Sequence, residues 1–153
     1  MKNFKPVNLI ISILIPLAVG QLSALLSGDI SAAYSTLFKP NLSPPAIVFP
    51  IVWTILYILM GISSYLIVTS ENDGGSLKWY GIQLFLNFIW TIIFFRFNNY
   101  MISFICIILL IISIIIMIKE FFEVNRTAAY LQIPYLLWCL FALYLNLSII
   151  LLN

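Results

Sequence analysis

Histidine is absent from this 153-residue chain, and charged side chains make up only 8% of it. Without histidine there is no Ser-His-Asp triad, and no cluster has the spacing of a metal site, so we predict neither catalytic residues nor a required cofactor. A soluble domain carries roughly a quarter charged residues. The shortage of charge argues against a soluble protein, and a net charge of only +2 argues against nucleic-acid binding.

Cysteine is also scarce. Cys106 and Cys139 both lie inside apolar segments, which favours small packed residues over a disulfide or redox pair. The charged side chains occur near the ends of apolar runs or between them. We therefore predict that all five carboxylates lie in connections between helices: Asp29, Glu71, Asp73, Glu120 and Glu123.

What the chain does have is hydrophobic sequence, 63% of the total. A helix needs about 20 apolar residues to cross a bilayer, and lipid requires each backbone amide to bond within its own segment. We therefore predict an all-α membrane protein of one domain, spanning residues 1–153. Its five transmembrane helices are expected at about 7–26, 46–68, 79–97, 100–118 and 128–152.

The longest connection, residues 27–45, is rich in proline and aromatic residues, which indicates an ordered loop rather than a flexible linker. Lys2 and Lys5 before an apolar run also resemble a signal peptide, although the run is longer than a usual signal core. Basic residues predict that the N-terminus is inside. The predicted inner side carries Lys2, Lys5, Lys78, Lys119 and Arg126, and the outer side carries Lys39 and Arg96.

Residues three, four or seven apart share one face of a helix. Such faces place Trp53 with Tyr57 in the second span, and Gln83 with Asn87, Trp90 and Thr91 in the third. In the fifth span the face comprises Tyr135, Trp138, Ala142 and Asn146. Amides are costly against lipid, so these faces are expected to point inward and form an apolar hollow for a planar ligand. Mutual packing of the aromatic rings is the alternative. The fourth span, almost all Ile and Leu, is expected to face lipid broadly, and Trp79 and Tyr80 to anchor the interface.

Four motifs in this order resemble the TspO/translocator protein family of tryptophan-rich sensory proteins. The first is Tyr34-x4-Lys39-Pro40-x3-Pro44-Pro45, and the second is Phe49-Pro50-x2-Trp53-Thr54-x-Leu56-Tyr57-x2-Met60-Gly61. The third is Gln83-Leu84-x-Leu86-Asn87-x2-Trp90, and the fourth is Pro134-Tyr135-Leu136-x-Trp138-x2-Phe141-Ala142-x2-Leu145-Asn146.

The resemblance implies a five-helix bundle, commonly a homodimer, with a pocket beneath the first loop. Family members bind porphyrins such as protoporphyrin IX and haem, and some bind sterols or drug-like aromatics. The implied ligand-binding residues are Tyr34, Trp53, Tyr57, Asn87, Trp90, Tyr135, Trp138, Ala142 and Asn146. The implied lid residues are Lys39, Pro40, Leu42, Pro44 and Pro45.

These expectations favour a membrane receptor or carrier for tetrapyrroles, with a sensory or transport role. One alternative is light-dependent breakdown of a bound porphyrin. The other is a structural or assembly partner in the membrane that binds no small ligand.

Overall fold

The computed structural model describes residues 4–72 and 75–153 as helices and connections, and this part of the chain contains no β-strand. The helices are α1 (Pro6–Leu26), α2 (Ile30–Ser35), α3 (Val48–Val68), α4 (Leu77–Phe95), α5 (Tyr100–Val124), α6 (Arg126–Leu131) and α7 (Ile133–Leu152). Five segments are long and apolar enough to cross a membrane: α1, α3, α4, α5, and α6 with α7. The predicted all-α, multi-pass architecture is confirmed. Lys2 and Asp73, which entered the predictions on orientation and charge placement, lie outside the described residues.

The spanning helices form a ring. α1 packs against α3 and α4, α4 packs against α5, and α5 packs against α6 and α7, while α6 also contacts α3. At one end, which we call the N-terminal end, the Lys5 backbone N–H donates to the Tyr65 hydroxyl at 2.9 Å. At the opposite end, the lid end, an Arg96 guanidinium N–H donates to the Leu26 carbonyl at 3.0 Å. That the N-terminal end faces the inside of the cell remains a prediction.

Glycine allows α1 and α3 to approach closely. A Cβ added to Gly61 would collide with the backbone of Ile13 and would lie 2.8 Å from the Ser12 carbonyl oxygen. A Cβ added to Gly20 would fall on the ring of Tyr57. The two helices therefore meet at a distance that larger residues at these positions would not permit.

The expectation that the fourth span faces lipid broadly was wrong. α5 carries a buried stripe along its whole length, at Ser103, Cys106, Ile107, Leu110, Ile111, Ser113, Ile114, Met117 and Phe121. Its opposite face is exposed, for example at Ile105, Leu109 and Ile112. Because α5 packs against α4, α6 and α7, its inward residues form the centre of the apolar core.

Several predicted boundaries also change. α5 continues to Val124 instead of ending near residue 118, so Glu120 and Glu123 belong to its last turns and not to a connection. The fifth span is broken at Gln132, which lies between α6 and α7. Pro134 follows in the first turn of α7. α4 begins and ends two residues earlier than expected. The loop between α1 and α3 is ordered, as predicted, and contains α2.

Tyr80 was expected to anchor the interface, but it is buried and stacks on Phe121 with ring centroids 6.4 Å apart. Trp79 is half-buried with the Lys78 ammonium 5.8 Å from its ring centroid, an arrangement that suits an interfacial position. Both cysteines are buried and unpaired.

Candidate functional site

The lid, defined here as residues 27–47, is held together by its own motif residues. The Tyr34 hydroxyl donates to the Pro44 carbonyl at 2.7 Å. The Lys39 ammonium donates to the carbonyls of Tyr34 at 2.8 Å and Leu37 at 3.0 Å, and it lies 4.6 Å from the Tyr34 ring centroid. Residues of the first motif therefore hold the lid closed around the buried side chain of Tyr34.

Burial raises the pKa of Tyr34 above its usual value near 10. The phenol therefore stays protonated and able to donate to Pro44 throughout the physiological range. Because the folded pKa is the higher one, this contribution to lid stability is complete below pH 10 and declines only above it.

The remaining lid residues point away from the bundle or cover it partly. Leu42 is 73% exposed, and Pro45 is exposed as well. Pro40 and Pro44 are half-buried. Leu42, predicted as part of the lid surface over a ligand, therefore does not reach inward in this conformation.

A second contact fastens the lid to α7. The Asn153 side-chain N–H donates to the Phe38 carbonyl at 2.9 Å, and the Phe38 backbone N–H donates to the Asn153 side-chain oxygen at 3.2 Å. The same side-chain nitrogen bonds to the Ile149 carbonyl at 2.9 Å. The sequence analysis did not identify this residue, since a terminal asparagine carries no pattern of its own.

We expect Asn153→Ala to free the lid from α7 at this point. Loss of the paired bonds, worth about 1 kcal/mol, should raise the hydrogen-exchange rate of the Phe38 amide about fivefold. The amide of Ala33, which donates to the Asp29 carbonyl within α2, serves as an internal control and should be unchanged. Equal rates for Phe38 in both proteins would show that Asn153 does not restrain the lid.

Beneath the lid, aromatic rings from α2, α3 and α7 form two groups of ring contacts. Tyr34 meets Phe49 edge-to-face at 5.0 Å, and Phe49 meets Trp138 at 5.8 Å. One turn further along α3, Trp53 stacks on Tyr57 at 5.5 Å and meets Tyr135 at 6.1 Å. Such contacts contribute about 0.5–1.5 kcal/mol each beyond the burial of area.

The amides of the predicted site pair with aromatic residues from other helices. Asn87 donates a side-chain N–H to the Tyr135 hydroxyl at 3.2 Å, which joins α4 to α7. The Trp90 indole N–H and the Ser103 hydroxyl donate to the Asn146 side-chain oxygen at 3.2 and 3.1 Å. Asn146 in turn donates to the Tyr100 carbonyl at 3.0 Å. Asn146 therefore joins α4, α5 and α7.

The predicted residues come together, but not around one open hollow. Tyr34, Trp90, Ala142 and Asn146 line an inner void of only about 30 Å³, enough for about one water molecule. Trp138 lines a groove of about 410 Å³ between α3 and α7, together with Val52, Ile55, Leu56, Leu59, Pro134 and Leu137. Tyr57 and Trp53 are half-buried by the ring contacts already described, and Asn87 and Tyr135 are fully buried.

A second apolar cavity, which we call the outer cavity, lies beside the lid and is similar in volume to the groove between α3 and α7. It measures about 400 Å³ and is lined by Ala24, Ile30, Ser31, Tyr34, Ala46, Ile47, Phe49, Pro50 and Phe95. Tyr34, Phe49 and Phe95 line both this cavity and the inner void, so their rings form the wall between the two. Of these three, only Tyr34 was predicted as a ligand contact, although Phe49 belongs to the second motif.

Comparison of the sequence with known proteins shows the family to which the chain belongs. The profile of the TspO/MBR family matches residues 12–152. The tryptophan-rich protein TspO of Archaeoglobus fulgidus is 36% identical over 149 residues, covering 95% of this chain and 97% of that protein. TspO of Chlorobaculum tepidum is 38% identical over 125 residues, 78% of each chain. A tryptophan-rich sensory protein of Cereibacter sphaeroides is 32% identical over 120 residues, covering 78% of this chain and 76% of that protein. The chain therefore belongs to the TspO/MBR family.

Proposed function

We propose that this membrane protein is a receptor or carrier that binds tetrapyrroles, such as porphyrins and haem, or similar planar hydrophobic ligands inside its helix bundle. The observation that carries the proposal is the set of ring contacts under the lid, in which Trp53, Trp138 and their tyrosine and phenylalanine neighbours offer flat apolar faces. Relatives named as sensory and translocator proteins support a sensing or transport role.

The ligand enters by replacing ring–ring contacts with ring–ligand contacts. Each aromatic face that leaves a neighbouring ring regains a partner of the same kind on the macrocycle, so the exchange costs little contact energy. The outer cavity has the volume of a small-molecule site, whereas the inner void does not. Movement of Tyr34, Phe49 and Phe95 would join the two.

The polar groups suit the edge of such a ligand. Asn87 can exchange its bond to Tyr135 for a bond to a polar substituent. Lys39 already donates to two lid carbonyls and would have to release one of them to bind a propionate of the ligand strongly. We therefore assign Lys39 first to holding the lid.

A titration of the purified protein with protoporphyrin IX in detergent tests the proposal. We expect saturable quenching of tryptophan fluorescence with a stoichiometry of one ligand per chain, and competition by haem. Quenching that rises linearly without saturation would contradict the proposal and favour the alternative of a partner without a small ligand. The same complex under illumination separates binding from breakdown, because only breakdown produces a new bilin-like absorption spectrum.

A further inference from the structure

Two glutamines in the N-terminal half of the bundle are buried and do not belong to the proposed ligand site. Gln83 and Gln132 are both 0% exposed. Neither the nitrogen nor the oxygen of either side-chain amide has a hydrogen-bond partner within residues 4–72 and 75–153. Polar groups buried in this way normally bond to protein or to ordered water, and inside a membrane an unsatisfied amide is especially unfavourable.

Both glutamines lie next to the Asn87–Tyr135 hydrogen bond, on its N-terminal side. Gln83 lies one helical turn before Asn87 on α4, and Gln132 lies three residues before Tyr135 at the break between α6 and α7. α4 and α7 both run from the N-terminal end toward the lid end. The two side-chain amides therefore lie closer to the N-terminal end than Asn87 and Tyr135 do, on the side of that pair that faces away from the lid.

The chemistry of the two side chains selects their ligand. A primary amide offers two donors and an oxygen with two lone pairs, so its partner must both donate and accept. Water does both and fits sites that are closed to larger solutes.

We propose that Gln83 and Gln132 each bind ordered water, on the side of the Asn87–Tyr135 pair that faces the N-terminal end. The bound water supplies hydrogen-bond partners to both amides and so stabilises the packing next to Asn87 and Tyr135. These water sites are distinct from the outer cavity and do not depend on the proposed tetrapyrrole ligand.

Thermal unfolding in detergent gives the first test. Gln83→Met and Gln132→Met replace each amide by an apolar chain of similar length and remove its bonds to water. We expect Tm to fall by about 3 °C or more in each. Gln21→Met, at an exposed position on α1, is the matched control and should change Tm by no more than about 1 °C. An unchanged or higher Tm in the buried variants would overturn the proposal, because replacing a truly unpaired amide by an apolar group stabilises a fold.

The second test detects the water itself, since a direct amide–amide bond after side-chain rotation would also lower Tm on substitution. Brief X-ray radiolysis in ¹⁸O-water oxidises side chains beside bound water. Tyr80, one turn from Gln83, should incorporate at least threefold more label than Phe94, which is buried among aromatic rings near the lid end. In Gln83→Met the label at Tyr80 should fall by at least half. Equal labelling of Tyr80 and Phe94 in the unmodified protein would overturn the proposal, whatever the effect on Tm.

Discussion

Replacing Trp53 and Trp138 together by leucine is expected to weaken protoporphyrin IX binding at least thirtyfold. Stacking of an aromatic base on a protein ring is worth about 1–3 kcal/mol, and a porphyrin presents a larger face. Two lost partners therefore remove at least about 2 kcal/mol, which corresponds to a thirtyfold increase in Kd. Because neither indole is fully buried, leucine should keep the fold intact. Kd is measured by the absorbance change of the porphyrin, which does not depend on the missing indoles.

The matched control is Trp79→Leu. Trp79 is also half-buried, but it lies at the N-terminal end beside Lys78, away from the lid. It should bind protoporphyrin IX with the Kd of the unmodified protein. If the double variant also stays within threefold of that value, the ligand does not bind between these rings, and the proposed site is wrong.

Gly61→Ala is expected to lower the free energy of unfolding by about 2–3 kcal/mol, the upper range for overpacking in a tight core. The added methyl group would meet the backbone of Ile13 and the Ser12 carbonyl, and backbone atoms cannot rotate aside as a flexible side chain can. α1 would therefore have to move away from α3 along its length. Chemical denaturation in mixed micelles measures the change.

Gly81→Ala provides the comparison. Gly81 also lies within a helix, but a Cβ there would meet nothing within 4 Å in the described part of the chain. Alanine is the better helix former by about 1 kcal/mol, so this variant should be as stable as the unmodified protein or slightly more stable. Equal destabilisation of both variants would mean that loss of a glycine, and not the approach of α1 to α3, causes the effect.

The aromatic and amide faces were readable from helical spacing because their residues differ chemically from the lipid-compatible remainder. Asn87, Tyr135 and Asn146 do point inward, and each bonds across the bundle. Spacing could not reveal whether the rings enclose a hollow or pack on one another. Trp53 and Tyr57 pack on one another, as the alternative interpretation expected, and the outer cavity lies to one side, behind Tyr34 and Phe49.

The error over α5 has a general physical cause. In water, burial separates apolar from polar residues, so a helix shows its inner face in its sequence. In lipid, both faces of a helix can be apolar, because acyl chains are as hydrophobic as a protein core. The Ile and Leu residues of α5 therefore gave no sign that Leu110 and Ile114 are fully buried while Leu109 and Ile112 are exposed. Only the spacing of Ser103, Cys106 and Ser113 marks the buried face.

By itself the sequence determined how many times the chain crosses the membrane, which segments do so and which side-chain amides of the third and fifth spans avoid lipid. These follow from the cost of placing charges, amides and unpaired backbone groups in hydrocarbon, a cost that each segment meets independently. Tertiary structure alone decided that one face of α5 is buried in the apolar core, that Gly61 allows α1 to approach α3, and that Asn153 fastens the lid to α7. Each of these depends on atoms distant along the chain meeting at a few ångströms, which local composition does not encode.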